Sequence, residues 1–477
     1  MALVTEVPIA PVPPDRFEEL LGDSYSQVEE AVASVGEVLA GRVVWHVNST
    51  AKGGGVAEML KSLLAYARGA GADVRWSTIS GNDEFFRITK RIHNNLHGHP
   101  GDGGELGSRE RSVYEHVLSE NASELTSLVT SDDVVYLHDP QTAGMAELMH
   151  SAGARVVWRC HIGTDAPNDL ARRAWEFISP YLHSANAYVF SREEFVWDGM
   201  DRERVWIVAP SIDAFSPKNQ ELDEQAVSSI LEKAGLAVDG GLAPVFERED
   251  GSIARVNREA ELDQDTTIPW GAKLLVQVSR WDRLKDPIGV LRCFTDHLEH
   301  RDAHLLLAGP AVSAVSDDPE GIEVLGEVRG ERASLPPEDR ARVHLACLPM
   351  DDVDENAAMV NAIQRRADVI LQKSLAEGFG LTVSEAMWKG TPVVASKVGG
   401  IQDQIVDGVS GLLIEDPTDL ASVARACDSL VGDPELAARI GEGGRERVRE
   451  EFLSTRHLLQ YLEMIREMLK DGRPGDG

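Results

Sequence analysis

Two long stretches of this chain repeat one pattern, a short run of β-branched and apolar residues followed by apolar residues three and four apart. In the first stretch, the runs at 43–47, 73–79, 134–137, 155–158, 187–190 and 205–208 read as buried strands with helix-like segments between them. Strands apolar on both faces, alternating with helices, call for a parallel sheet covered on each side. The segment 210–219 (PSIDAFSPKN) interrupts the pattern and reads as a domain connection. The alternation restarts with strands at 273–278, 304–308, 343–348, 369–372, 392–396 and 411–414, and with helices at 288–298, 356–366, 382–389 and 420–430. The chain is therefore read as α/β, with two Rossmann-like, doubly wound parallel-sheet domains at 1–215 and 216–450. A C-terminal helix at 451–477 follows, placed back against the first domain. A length of 477 residues suits two or three domains.

Other segments are less regular. The first fifteen residues are proline-rich and read as loosely held, with a helix from 17 to 39. The charged stretch 243–265 fits either a hairpin insertion or a mobile loop. Lysine and arginine total 47 against 79 aspartates and glutamates, a net charge of −32, which disfavours nucleic-acid or anionic-membrane partners. The four cysteines are far apart and form no Cys-x-x-Cys pair, so neither a disulfide framework nor a cysteine-rich metal site is expected. No apolar run reaches membrane-span length, and the N-terminus lacks the basic stretch of a secretory signal. The expectation is a cytoplasmic protein; its oligomeric state stays open, a homodimer being one option.

In open α/β sheets ligands sit at the carboxyl ends of the strands, and five polar clusters follow strands here. Lys52-Gly53-Gly54-Gly55 precedes a helix; its backbone N–H groups suit an anion, but a plain tight turn explains it equally well. It is not a Walker P-loop, since no Lys-Ser/Thr pair follows. Arg280 and Lys285 share one connection ahead of a helix, and two cations there could hold a diphosphate and neutralise its charge as it leaves. Surface pairing with Asp282 and Asp286 is the alternative. Glu377 and Glu385 are eight residues apart, in and beyond a Gly378-Phe379-Gly380-Leu381 loop that could wrap a sugar. Glu385, read as lying in the first turn of a helix, suits a ribose diol, though helix capping explains it too. His161 follows a strand, with Gly163 and Asp165 beside it. His138, Asp139 and Gln141 follow another strand and are groups of the kind that bind sugar hydroxyls. Zinc-ligand spacing and a Gly-x-Ser-x-Gly elbow are both missing.

Together these stretches resemble the retaining glycosyltransferases of the GT-B fold, family 4. The likeness rests on Arg280, Lys285, Glu377 and Glu385, and on the later runs 392–401 (PVVASKVGGI) and 407–413 (DGVSGLL). The first half is similar to the trehalose glycosyltransferring synthases at 46–50 with the triple glycine, at 81–94 (GNDEFFRITKRIHN), at 138–141 and at 158–162.

The resemblance implies two domains facing each other across a cleft. It implies a glucosyl transfer from an NDP-glucose to glucose, giving α,α-trehalose with retention and in a reversible reaction. A trehalose phosphorylase, or a transferase with another small acceptor, is the alternative, and a sugar-nucleotide-binding protein without turnover comes last. Arg280 and Lys285 would bind the donor diphosphate, and Glu385 the ribose. Glu377 with Gly378, Phe379, Gly380 and Leu381 would contact the donor glucose. Gly54 and Gly55 would face the phosphates. His161 would lie beside the reacting sugar, while Asn48, Asp139, Gln141 and Asp165 would help to hold the acceptor. The partners implied are a nucleotide-sugar donor and a small sugar acceptor. No cofactor is required, and no ligand motif calls for a divalent ion such as Mg.

Overall fold

A computed structural model describes residues 3–51, 55–238, 243–312 and 319–470. The chain divides into two compact units, Met1–Ser211 with Leu453–Gly477, and Ile212–Phe452.

The first unit is built on a seven-stranded sheet of β1 (Val4–Val7), β2 (Val44–Asn48), β3 (Val74–Ile79), β4 (Val134–His138), β5 (Arg155–Cys160), β6 (Ala187–Phe190) and β7 (Val205–Ile207). Its spatial order is β1-β3-β2-β4-β5-β6-β7, parallel except for β1. Successive side chains face opposite ways. Trp45, Val47, Val135, Leu137 and Trp158 therefore join one core with the helices Asp83–Leu96, Ser108–Leu125 and Asp169–Leu182. Val44, Trp76, Val134, Tyr136 and Val157 join the other, under Ser26–Leu39, Gly55–Gly69 and the C-terminal helix Ser454–Lys470. That last helix, far away in sequence, supplies Tyr461, Met464, Ile465 and Met468 to this core.

The N-terminal segment departs from the expected loose arm. β1 pairs antiparallel with β3, and the N–H groups of Leu3 and Val4 donate to the Glu124 carboxylate at 2.9 and 3.3 Å. Four residues carry too little periodicity to be read locally; the partners of this edge lie 69 to 75 residues away. The expected helix at 17–39 is also interrupted. Gly22 takes φ 53° and divides the segment, leaving Ser26–Leu39 as its long helical part.

The second unit has a seven-stranded sheet and a two-stranded hairpin. The hairpin is β8 (Val245–Glu247) with β9 (Ile253–Arg255). The sheet comprises β10 (Glu261–Asp263), β11 (Leu274–Val278), β12 (His304–Pro310), β13 (Val343–Leu348), β14 (Val369–Gln372), β15 (Val393–Ser396) and β16 (Leu412–Ile414). Its order is β10-β13-β12-β11-β14-β15-β16, with β10 antiparallel to β13. The charged insertion is thus a hairpin plus an edge strand. Arg248 donates to Asp352 at 2.9 Å and to Asp354 at 3.3 Å, and Arg258 donates to Glu355 at 2.6 Å, tying the insertion to the start of helix Val353–Arg366. The expected helix at 288–298 is Pro287–Arg292 running into a π-turn at Cys293–His297.

The segment read as a connection belongs largely to the second unit. Trp388 Nε1 donates to the Asn219 carbonyl at 3.1 Å, and Asn361 Nδ2 donates to the Pro217 carbonyl at 3.1 Å. In each sheet the first parallel strand, β2 or β11, lies centrally, and the strand order reverses beside it. β3 and β4 flank β2; β12 and β14 flank β11. The switch points are therefore β2/β4 and β11/β14, and ligand crevices in such sheets open at the carboxyl ends of those strands.

Candidate functional site

Three histidines converge at the first switch point. His46 sits on β2, His138 ends β4, and His161 directly follows β5. Nδ1 of His46 stands 3.0 Å from Nε2 of His138, and Nδ1 of His138 stands 3.1 Å from Nε2 of His161. All three are buried. Loss of water holds each of them neutral, pushing His46 down to about 3 and the other two well below the usual histidine range. The charge of Arg159, a fully buried guanidinium on β5, adds to the effect on His138 and His161. The His46 ring is held face to face with Tyr136, centroids 4.4 Å apart.

Asp139 adopts φ 61°, a left-handed backbone rare for a residue with a side chain. Hydrogen bonds at its N–H, its carbonyl and its carboxylate fix it there. Its N–H donates to the Arg159 carbonyl at 2.8 Å, its carbonyl accepts from Trp158 Nε1 at 3.2 Å, and its Oδ1 accepts from the His161 N–H at 2.8 Å. Burial pushes its carboxyl up to about 7, against the lowering pull of the His161 N–H and Arg159.

Other first-unit candidates are differently placed. Both ends of the Asn48 amide are engaged internally: Trp76 Nε1 donates to Oδ1 at 2.8 Å, and Nδ2 donates to the Thr50 carbonyl at 2.7 Å. Asp165 is paired with the buried Arg192 at 2.6 Å. Gln141 is half-buried, and its Oε1 has no hydrogen-bond partner. Gly55 is exposed at the start of its helix, while Gly54 lies outside the described residues.

The second switch point is charged. Lys285, in the connection after β11, forms an ion pair with Glu377, which lies beyond β14. Ser374 Oγ donates to the same carboxylate oxygen at 3.3 Å. The two connections are joined by the Leu375 N–H, which donates to the Leu284 carbonyl at 2.7 Å. A second pair, Lys373 with Asp286, lies alongside, its lysine fully buried. Arg280 is 56% exposed and meets Asp282 at 3.1 Å.

The loop Glu377–Gly380 is shaped by a later glycine pair. Gly399 has φ 49°, and a Cβ there would lie 1.7 Å from the Glu377 carbonyl oxygen. The Gly400 N–H donates to the Gly378 carbonyl at 2.9 Å. Gly380 (φ 84°) then opens helix Leu381–Trp388, and Phe379 is buried against Phe452.

Glu385 is the fifth residue of that helix, not in its first turn as expected, so capping does not account for it. It is buried, with Lys218 Nζ 3.6 Å from its Oε1. Lys389, one turn on, is buried as well and donates to the Glu385 carbonyl and to Asn219 Oδ1, each at 3.0 Å. Burial drives the Lys389 ammonium well below its usual range.

Sequence reading did not single out Lys218, Ser374, Lys373, Arg192 or the linkage of His46 to His138. Their importance comes from neighbours distant in sequence. Among the described residues no cluster of three or more His, Cys, Asp or Glu side chains is arranged to hold a metal ion, and no helix is long and apolar enough to cross a membrane.

Comparison with known proteins places this architecture. The α,α-trehalose-phosphate synthase (UDP-forming) from Burkholderia xenovorans, solved in complex with glucose-6-phosphate, superposes with a TM-score of 0.65 at 16% identity, over 90% of this chain and 100% of that one. Residues 258–447 match the family described as glycosyl transferases group 1. The fold and this family match define a glycosyltransferase of the GT-B class, as the motifs implied.

Residues 46–197 match the N-terminal domain of trehalose synthase. Trehalose synthase from Rubrobacter xylanophilus is 35% identical over 456 residues, covering 94% of this chain and 97% of that protein. Trehalose synthase from Pyrococcus horikoshii is 35% identical over 459 residues, covering 95% and 96%. The chain belongs to the trehalose synthase family.

Proposed function

We propose that this protein transfers glucose from a nucleoside diphosphate glucose to free glucose, forming α,α-trehalose with retention at the donor carbon. The observation that carries the reading is the Lys285–Glu377 pair at the β11/β14 switch point, with Arg280 in the same connection as Lys285. A donor diphosphate competes with Glu377 for Lys285 and draws in the exposed Arg280, which frees the carboxylate for a sugar hydroxyl. Glu385 takes the ribose diol. The first unit binds the acceptor through Asp139 and His161.

The donor bond between C1 and the diphosphate oxygen breaks as the two cations neutralise the departing charge. The acceptor hydroxyl attacks from the face being vacated, and its proton passes to a diphosphate oxygen. Glu377 is not required as a nucleophile, because in this route the acceptor hydroxyl itself attacks the donor carbon while the freed carboxylate holds a sugar hydroxyl. Fixed cations do the work that a metal does in other phosphate enzymes, so chelation leaves the rate unchanged.

Incubation of the purified protein with ADP-, UDP- or GDP-glucose and glucose, with products identified by mass and anomeric configuration, tests the reading. α,α-Trehalose together with free NDP supports it. Release of glucose 1-phosphate from trehalose and phosphate, with no NDP-dependent reaction, replaces it with a phosphorylase.

A further inference from the structure

The three-histidine chain obeys a strict rule. A neutral imidazole carries one proton on two nitrogens, and each link between two rings needs one proton. The chain therefore has only two arrangements, and all three rings change tautomer together. In one, every Nδ1 is protonated; in the other, every Nε2 is.

The ends of the chain decide between them. His46 and Tyr136 line a cavity whose other walls are almost wholly apolar, among them Val35, Leu63, Ala67 and Leu462. Among the described residues, Nε2 of His46 has no hydrogen-bond partner. Three protons and two links leave one terminal N–H unpaired in either arrangement; it is costlier against these apolar walls than at the carboxyl end of β5, where His161 lies, so His46 Nε2 is the bare nitrogen. His46 Nδ1–H then donates to His138, and His138 Nδ1–H donates to Nε2 of His161. His161 is left with its proton on Nδ1, which has no partner among the described residues.

We infer that His46 and His138 are positioning residues that fix His161 as a hydrogen-bond donor, so that it presents Nδ1–H to an oxygen of the bound sugar and cannot accept a proton from it. The contact between His161 and sugar rests on the function proposed above; the tautomer does not. A stacked Tyr136 below His46 and the backbone anchors around Asp139 and His161 hold the rings in register. Burial keeps the chain uncharged, so the rule for neutral rings applies near neutral pH.

The test is long-range ¹H–¹⁵N spectroscopy of the ¹⁵N-histidine-labelled full chain without ligand, which reads each tautomer directly. The wild type should show His161 protonated at Nδ1 and bare at Nε2. His46→Asn keeps a donor near the position of Nδ1 and should preserve both this pattern and the kcat. His46→Phe keeps the ring on Tyr136 but removes the donor. It should give a mixed His161 tautomer and roughly a tenfold lower kcat, with the donor KM within about twofold. A wild-type His161 protonated at Nε2 overturns the inference, whatever becomes of the variants. So does a folded His46→Phe protein with unchanged tautomer and rate. If the expected tautomers appear but no NDP-glucose yields a disaccharide, the tautomer chain stands and the functional reading falls.

Discussion

The two switch points make opposite electrostatic choices. At β2/β4 the polar groups are buried, uncharged imidazoles bonded to one another; at β11/β14 they are ions, Lys285 with Glu377 and Lys373 with Asp286. Under the proposed function, the difference follows from what each end meets. A diphosphate brings charge with it and can displace the carboxylates from these cations, whereas a neutral sugar needs donors and acceptors in fixed directions. The same strand topology serves both because it specifies where a site opens and leaves its chemistry to the residues after the strands.

The sharpest break in that comparison is at Arg280. Arg280→Ala should lower kcat by roughly 10²–10³-fold, on the scale of other lost transition-state donors. The melting temperature should barely move, because an exposed pair such as Arg280–Asp282 contributes little to stability. A near-normal kcat would remove the charged site from the mechanism.

Gly399→Ala comes next. Its Cβ would press on the Glu377 carbonyl from a backbone conformation that alanine resists, so the loop must shift. We expect about 1–3 kcal/mol of destabilisation and a substantial loss of kcat, read by denaturant unfolding alongside initial rates. Unchanged values for both would show that the loop tolerates rearrangement.

Acid should separate the two units. Among the described residues, buried His46, His138, His161 and His457 in the first unit have depressed pKa values, against buried His344 and half-buried His304 in the second. A depressed group favours the fold above its unfolded pKa of about 6.5, and that advantage is lost as pH falls below it. Amide exchange followed from pH 7 to 5 should lose protection faster in β2, β4 and β5 than in β11 and β14. Equal loss would contradict the neutral-histidine account.

Asp139 runs the other way. With its folded pKa raised to about 7, the native state holds a proton that the unfolded chain releases near pH 4. Its contribution is present below about pH 4 and is lost as pH rises to 7. Asp139→Asn should remove this slope and leave the histidine slope visible alone in pH-dependent unfolding. The smallest effect is that of a chelator, which should change the transfer rate by less than about twofold if cations of the protein carry the charge.

Much of this architecture could be read locally. The period of the apolar residues marked out most strands of both sheets, and the residues after β4, β5, β11 and β14 were visible as the candidate sites because carboxyl ends follow from chain direction. The edge strand β1 was not, since its four residues have meaning only beside β3. Nor was the engagement of Asn48 with Trp76, or of Asp165 with Arg192, where residue types suited to sugar binding are already partnered within the unit.

Periodicity and chain direction, both properties of the covalent sequence, are enough to dictate two parallel sheets and the ends at which they bind ligands. Protonation and pairing are not, because they depend on which groups lose water together. Burial leaves His46, His138 and His161 as a neutral chain, and Glu385 accompanied by Lys218. Those neighbours come from strands and loops tens to well over a hundred residues apart, and only folding brings them within hydrogen-bond range.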